Sequence, residues 1–186
     1  NSVERSIAHR VVHRCTYGLL TNWLPRTGIR TRFVNINAPR ALSKAITDKT
    51  RVVYFETPVN PTQQLIDIAG IRSMLDKVNQ GPKRPIRIIA DNTFANPYRQ
   101  RPLEHRADIV IHSLTKDIGG FGTDMGGAVI ASKDLHGLLM LYRKDFGGVL
   151  SSKSAWDFLV YEWPTLATPL VNQQRNAMKI ASFLQL

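Results

Sequence analysis

The chain has one cysteine, Cys15, in 186 residues, which excludes an internal disulfide and fits a reducing compartment, with the cytoplasm as the default expectation. It is also short of acids: 14 Asp and Glu stand against 25 Lys and Arg, for a formal net charge of +11. Such an excess draws phosphate-rich partners when it is concentrated. Here Arg5, Arg10, Arg14, Arg26, Arg30 and Arg32 and those that follow are scattered. No block of five or six like charges forms and no aromatics interleave with them, so no nucleic-acid surface is expected. No apolar run approaches the length of a bilayer crossing, and no charged, apolar, small-residue leader opens the chain, so neither a membrane nor a secretory assignment has support. Repeats and low-complexity stretches are absent as well.

What is present is alternation. Arg10–Arg14, Thr31–Asn35, Arg51–Glu56, Ile86–Ala90, Asp108–His112 and Gly127–Ala131 carry β-branched clusters of strand length. Between them, Leu65, Ile68, Ile71, Leu75 and Val78 recur at helical spacing after Pro61-Thr62. A shorter helix is predicted after Pro39 around Ala41, Ala45 and Ile46, and Gly81-Pro82 is read as the stop of the longer one. Strands alternating with helices predict an α/β fold, a mostly parallel sheet flanked by helices with right-handed crossovers. From Leu135 the pattern turns helical, at Leu135–Arg143, Ser154–Tyr161 and Leu170–Leu184, with no linker before about Gly148. Residues 1–150 are therefore expected to form one domain part and 151–186 connecting helices. The chain stops at Leu186 inside a helical pattern, so truncation at both ends is expected.

Open parallel sheets bind ligands at the carboxyl ends of their strands. Three predicted strand ends carry reactive or hydrogen-bonding groups: Asn60 in the bracketed turn Glu56-Thr57-Pro58-Val59-Asn60-Pro61, Asp91 in Asp91-Asn92-Thr93, and Lys116 in Ser113-Leu114-Thr115-Lys116 before Gly119-Gly120. Hydroxyls and free N–H groups before glycines suit a phosphate, and a lysine there serves as counter-ion or nucleophile. His9, His13 and Cys15 suggest a metal cluster, but the Val11-Val12 run turns the histidines one way without a fourth partner, so no metal is expected. Cys15 reads as a buried small apolar residue.

The motifs TYG (16–18), LPRTGI (24–29), YFETPVNPT (54–62), DIAGI (67–71), ADNTFANPYRQRPLEHRADIVIHSLTK (90–116) and GGVLS (147–151) occur in an order that resembles the pyridoxal-phosphate-dependent Cys/Met metabolism family of trans-sulfuration enzymes. NAMKIASFL (176–184) is similar to the helix leading to that family's smaller C-terminal domain. The resemblance implies a truncated large domain of the fold type I, aspartate-aminotransferase-like class. It implies that Lys116 holds pyridoxal 5'-phosphate as a Schiff base and then shuttles protons, and that Asp91 pairs with the pyridinium nitrogen. Ser113 and Thr115 would bind the phosphate. Tyr17 would stack on the ring and act as an acid toward the leaving group, and Asn60 would reach the ring's 3-oxygen side and the substrate carboxylate. Glu56 matches a family position without an assigned role.

Where the chain departs from the family pattern, it does so at Leu114, Asp117, Phe121, Ala8-His9, Glu162-Trp163-Pro164 and Pro169, none of them an implied cofactor contact. Leu19 differs from the cysteine often found in methionine γ-lyases. The implied reaction is β- or γ-elimination at a C–S bond of a sulfur amino acid such as cystathionine or methionine. The alternative within the family is γ-replacement on an activated homoserine, as in cystathionine γ-synthase or the homoserine-ester sulfhydrylases, and a non-catalytic basic fragment is the reading from another class. The family's N-terminal arm, upstream phosphate loop and C-terminal domain have no counterpart in these residues, so the isolated chain is expected to be inactive. A homotetramer of paired dimers is the implied assembly.

Overall fold

The computed structural model describes residues 4–79, 84–119, 122 and 124–185. In chain order its elements are β1 (Glu4–His9), α1 (Arg14–Gly18), a π-helical turn (Leu19–Trp23), a 3₁₀ turn (Leu24–Thr27), β2 (Ile29–Val34), α2 (Pro39–Ala45), β3 (Thr50–Glu56), α3 (Ile68–Val78), β4 (Arg87–Asp91), α4 (Asn96–Arg99), β5 (Ile109–Ser113) and β6 (Gly127–Ala131). Helices α5 (Lys133–Phe146), α6 (Ser152–Asp157), α7 (Trp163–Thr165) and α8 (Ala167–Leu184) follow. The strands form one six-stranded sheet in the order β2-β1-β3-β4-β5-β6. The pairs β1/β2, β1/β3, β3/β4 and β4/β5 are parallel, as the alternation predicts. The chain divides into two compact units, 1–111 with 129–132 and 112–128 with 133–186.

In the first unit the sheet is covered on both faces, because successive residues of a strand point to opposite sides. Ile7, Val53, Phe55, Ile88 and Ala90 pack with Leu42 and Ala45 of α2 and Ile68, Ile71 and Leu75 of α3. The neighbours in the strands, Ala8, Tyr54 and Ile89, turn the other way and pack with Leu20 and Leu24. In α3 the apolar stripe works as its spacing predicts, with Asp67 accepting the Gly70 N–H at 2.9 Å to cap the first turn. Leu65, counted in that stripe, is exposed and precedes the helix. The Gly81-Pro82 stop lies outside the described residues.

One strand is not where the apolar pattern puts it. The predicted strand Arg10–Arg14 is a loop followed by α1, and the real strand is Glu4–His9. Its side chains Ser6, Ile7, Ala8 and His9 are buried even though two of them are polar. Ser6 is satisfied by the Thr31 hydroxyl at 2.8 Å, and His9 Nδ1 accepts the Ile36 N–H at 3.2 Å. A central strand that hides polar residues behind specific partners has no β-branched signature. Val11 and Val12 reach opposite faces of the sheet from the loop, packing against the two separate clusters. His13 lies at the surface as the cap of α1, its Nδ1 accepting the Cys15 N–H at 3.3 Å, which separates it from the buried His9, and Cys15, expected to be buried, is exposed in the first turn of α1.

The second unit is built around Ile118, Leu166 and Leu170, with Leu114 packed against them. Phe158 is buried beside Gly119 and Gly126; a Cβ at either glycine would lie 2.9 Å from its ring. No helix among the described residues is long and apolar enough to cross a membrane.

Candidate active site

Asp91 is the last residue of β4 and lies beside Glu56, the last residue of β3, in the parallel register. Two features hold its carboxylate. The Thr93 N–H donates to Oδ1 at 3.0 Å, and the Tyr54 hydroxyl, 3.4 Å away, donates to Oδ2. Burial pushes the Tyr54 phenol pKa upward and the Asp91 charge adds to it, so the phenol stays a donor. Tyr54 and Glu56 are two residues apart and therefore share a face of β3.

Behind Asp91 lies a polar knot. Asn92 is fully buried (0% exposed). Its amide donates to the carbonyls of Asn96 at 3.1 Å and Gln100 at 2.7 Å, and its Oδ1 accepts from Gln100 Nε2 at 2.8 Å. Gln100 Nε2 also reaches the Thr57 carbonyl at 3.2 Å, while the Thr57 N–H donates to the Asp91 carbonyl at 3.1 Å. The Asn92 N–H donates to the Ile111 carbonyl at 2.9 Å. The ends of β3, β4 and β5 are thus tied by one residue and its partners, which fixes the backbone from which Asp91 projects.

Glu56 is 5% exposed, and its carboxylate accepts two backbone donors, the His13 N–H at Oε1 and the Asn60 N–H at Oε2, the latter at 3.3 Å. Burial raises its pKa above the ordinary value; the two N–H donors oppose that rise and the charge of Asp91 adds to it. Asn60 sits half-buried in a turn closed by Val59 N–H to the Gln64 carbonyl at 2.9 Å and Gln63 N–H to the Val59 carbonyl at 2.7 Å. Tyr17, in α1, is 51% exposed, and its ring centroid lies 5.2 Å from that of Phe33 at a 37° tilt.

Ser113, Thr115 and Lys116 belong to the second unit. Ser113 ends β5, and the chain then turns through Leu114, Thr115 and Lys116. That turn is pinned to the backbone of Gly126: Leu114 N–H donates to its carbonyl at 2.9 Å, and its N–H donates to Thr115 Oγ1 at 3.0 Å. The Lys116 carbonyl accepts the Gly119 N–H at 3.0 Å, and the Lys116 side chain is exposed. The Phe121 position lies outside the described residues. The structure therefore forms two groups, Asp91, Asn60 and Tyr17 in one unit, and Ser113, Thr115 and Lys116 in the other. No group of three His, Cys, Asp or Glu side chains that would hold a metal occurs among the described residues.

Sequence reasoning passed over Tyr54 and Asn92 and left Glu56 without a role. Tyr54 was within reach of a period-two reading from Glu56. Asn92 carried no such signal, because its partners are backbone carbonyls.

A family model described as "Cys/Met metabolism PLP-dependent enzyme" matches residues 1–186. The chain is 37% identical over 186 residues to a cystathionine gamma-lyase of Bacillus subtilis (strain 168), covering 100% of this chain and 47% of the relative. It is 35% identical over 183 residues to an L-methionine gamma-lyase of Fusobacterium nucleatum subsp. polymorphum, covering 97% of this chain and 45% of the relative. Among solved structures, the cystathionine gamma-lyase of Lactobacillus plantarum complexed with L-serine aligns with a TM-score of 0.89 at 30% identity, over 100% of this chain and 47% of that one. The chain spans about half the length of the curated relatives it matches. With the family model matching it from end to end, the chain belongs to the Cys/Met metabolism PLP-dependent enzyme family.

Proposed function

We propose that this chain is the cofactor-binding centre of a carbon–sulfur lyase that acts on a sulfur amino acid by β- or γ-elimination. The observation that carries the proposal is the pair of neighbouring strand-end carboxylates, Glu56 and Asp91. Asp91 is half-buried, held in place by Tyr54 and Thr93, and makes no ion pair among the described residues. A protonated ring nitrogen is the kind of N–H cation that such a carboxylate accepts, so these residues fit pyridoxal phosphate.

When bound, that cofactor supplies an electron sink for charge developing at the substrate's α-carbon. The chain's own residues do the rest in this reading. Lys116 would hold the cofactor through Nζ and would move the proton at the substrate's α-carbon. Asp91 keeps the ring nitrogen protonated. Ser113 and Thr115, with the N–H groups of their turn, take the phosphate. Tyr17 covers the ring face and hands a proton to the departing sulfur, and Asn60 orients the ring's oxygen and the substrate carboxylate. What supports these roles as a set is the family model, which matches residues 1–186 and so includes every residue named here.

In the same reading residues 1–150 are the central part of the cofactor-binding domain and 151–186 are the connection to a smaller domain. The protein is cytoplasmic and works as a homotetramer of paired dimers; exposed Leu138, Leu141, Tyr142 and Phe146 on α5 are surface suited to such contacts. Elimination is the reading proposed; a cystathionine gamma-lyase at 37% identity and a probable cystathionine gamma-synthase at 36% stand equally near, so the product decides between elimination and replacement. The test is a product balance. The whole protein with pyridoxal phosphate and L-cystathionine or L-methionine releases a 2-oxo acid, ammonia and a thiol in equal amounts, and Lys116→Ala lowers the rate by at least about a hundredfold. New thioether formed from an activated homoserine and a thiol, without 2-oxo acid or ammonia from either sulfur amino acid, would refute elimination.

A further inference from the structure

The carboxylate of Glu56 spans two loops. Its Oε1 accepts the N–H of His13, the capping residue of α1, and the carbonyl of the same His13 accepts the N–H of Tyr17 at 2.9 Å. Its Oε2 accepts the N–H of Asn60 at 3.3 Å. One buried side chain at the end of β3 thereby sets the first turn of the helix that carries Tyr17 and the turn that carries Asn60.

We propose that Glu56 is a positioning residue, a carboxylate clamp that fixes Tyr17 and Asn60 relative to each other and to Asp91 for cofactor binding. Three observations support it. The carboxylate is kept although burial and the neighbouring Asp91 both oppose its charge, and a group needed only to fill space would be apolar there. Both of its oxygens are engaged by backbone N–H groups, so a shorter or apolar side chain leaves two part-buried donors without their acceptor. Glu56 also occupies the register position beside Asp91, so loosening the clamp frees the loops next to the ring site and leaves β4 itself in place. The inference rests on the proposed roles of Tyr17 and Asn60 at the cofactor.

Glu56→Gln keeps the shape and one acceptor oxygen, so it is the variant to use, with Glu56→Asp as a shorter second variant that keeps the charge but cannot span both donors. In hydrogen exchange read by mass spectrometry on the whole protein, peptides covering 13–18 and 59–64 exchange about tenfold faster in both variants, while the α3 peptide 68–78 keeps its protection. Titration with pyridoxal phosphate itself shows affinity weakened about tenfold. Unchanged exchange in both loop peptides overturns the inference. So does uniform loosening that includes α3, which marks a general structural role. Loosened loops with unaltered cofactor affinity overturn it too. Failure of the cofactor reading is a separate result: the wild-type protein itself then leaves no pyridoxyl group on Lys116 after reduction.

Discussion

Replacing Asn92 tests how the end of β4 is held. The change Asn92→Ala removes three side-chain hydrogen bonds, those to the Asn96 and Gln100 carbonyls and from Gln100 Nε2. Not all the partners are orphaned: Gln100 Nε2 keeps the Thr57 carbonyl, and the Asn96 carbonyl keeps the Gln100 N–H at 3.1 Å. At about 1 kcal/mol net per bond, and with one carbonyl left without its amide in a buried site, the expected loss is about 2–4 kcal/mol. Asn92→Asp sharpens the argument. It keeps the shape and the acceptor for Gln100, but sets a second oxygen against two carbonyls in a fully buried position, so it costs at least as much as alanine. Urea unfolding with an unchanged slope reads both values. A loss under about 1 kcal/mol for alanine, or a milder effect for aspartate than for alanine, would refute the claim that the knot fixes the ends of β3, β4 and β5.

Gly119→Ala places a Cβ 2.2 Å from the Leu114 backbone oxygen and 2.9 Å from the Phe158 ring; it is expected to lower stability by about 2 kcal/mol or more and to weaken cofactor binding. Adding Phe158→Leu does not restore either property, because the backbone oxygen stays in the way; a thermal melt and a cofactor titration check both. His9 has its pKa lowered from 6.5, first by burial and then by the charge of Arg10. Its neutral form is favoured by folding, so its contribution is complete above pH 6.5 and is lost as pH falls below that value toward the folded pKa. Glu56, with its pKa raised from 4.5, acts with the opposite sign, and stability falls as pH climbs above 4.5. Since His9→Asn supplies an oxygen for the Ile36 N–H without titrating, urea midpoints in that variant lose the acid-side fall below pH 6.5 that the wild type shows. Asp91→Asn removes the charge that the ring nitrogen is proposed to meet, and weakens pyridoxal phosphate binding by about tenfold or more in an absorbance titration.

The sheet was legible because its strands are short β-branched runs between helical stripes. β6 lies where the sequence places it, at Gly127–Ala131, and the others differ by one or two residues at their ends, except β1. That strand was hidden because Ser6 and His9 buy their burial with partners 25 and 27 residues away, which no local pattern contains. Asp91 and Asn60 stand out in the sequence because one ends an apolar strand and the other lies in the turn after one. Glu56 went unassigned since what it holds is backbone, and the N–H groups of His13 and Asn60 leave no mark in the choice of side chain. Leu114, a departure from the family pattern, is explained by the second unit, where it packs against Ile118, Leu166 and Leu170.

The most direct measurement is borohydride reduction of the whole protein with pyridoxal phosphate, followed by peptide mass mapping. The account predicts one pyridoxyl group, on Lys116, that is absent in Lys116→Ala and much reduced in Asp91→Ala. A folded protein that carries no such group, or carries it on another lysine while Lys116 stays unmodified, would contradict it.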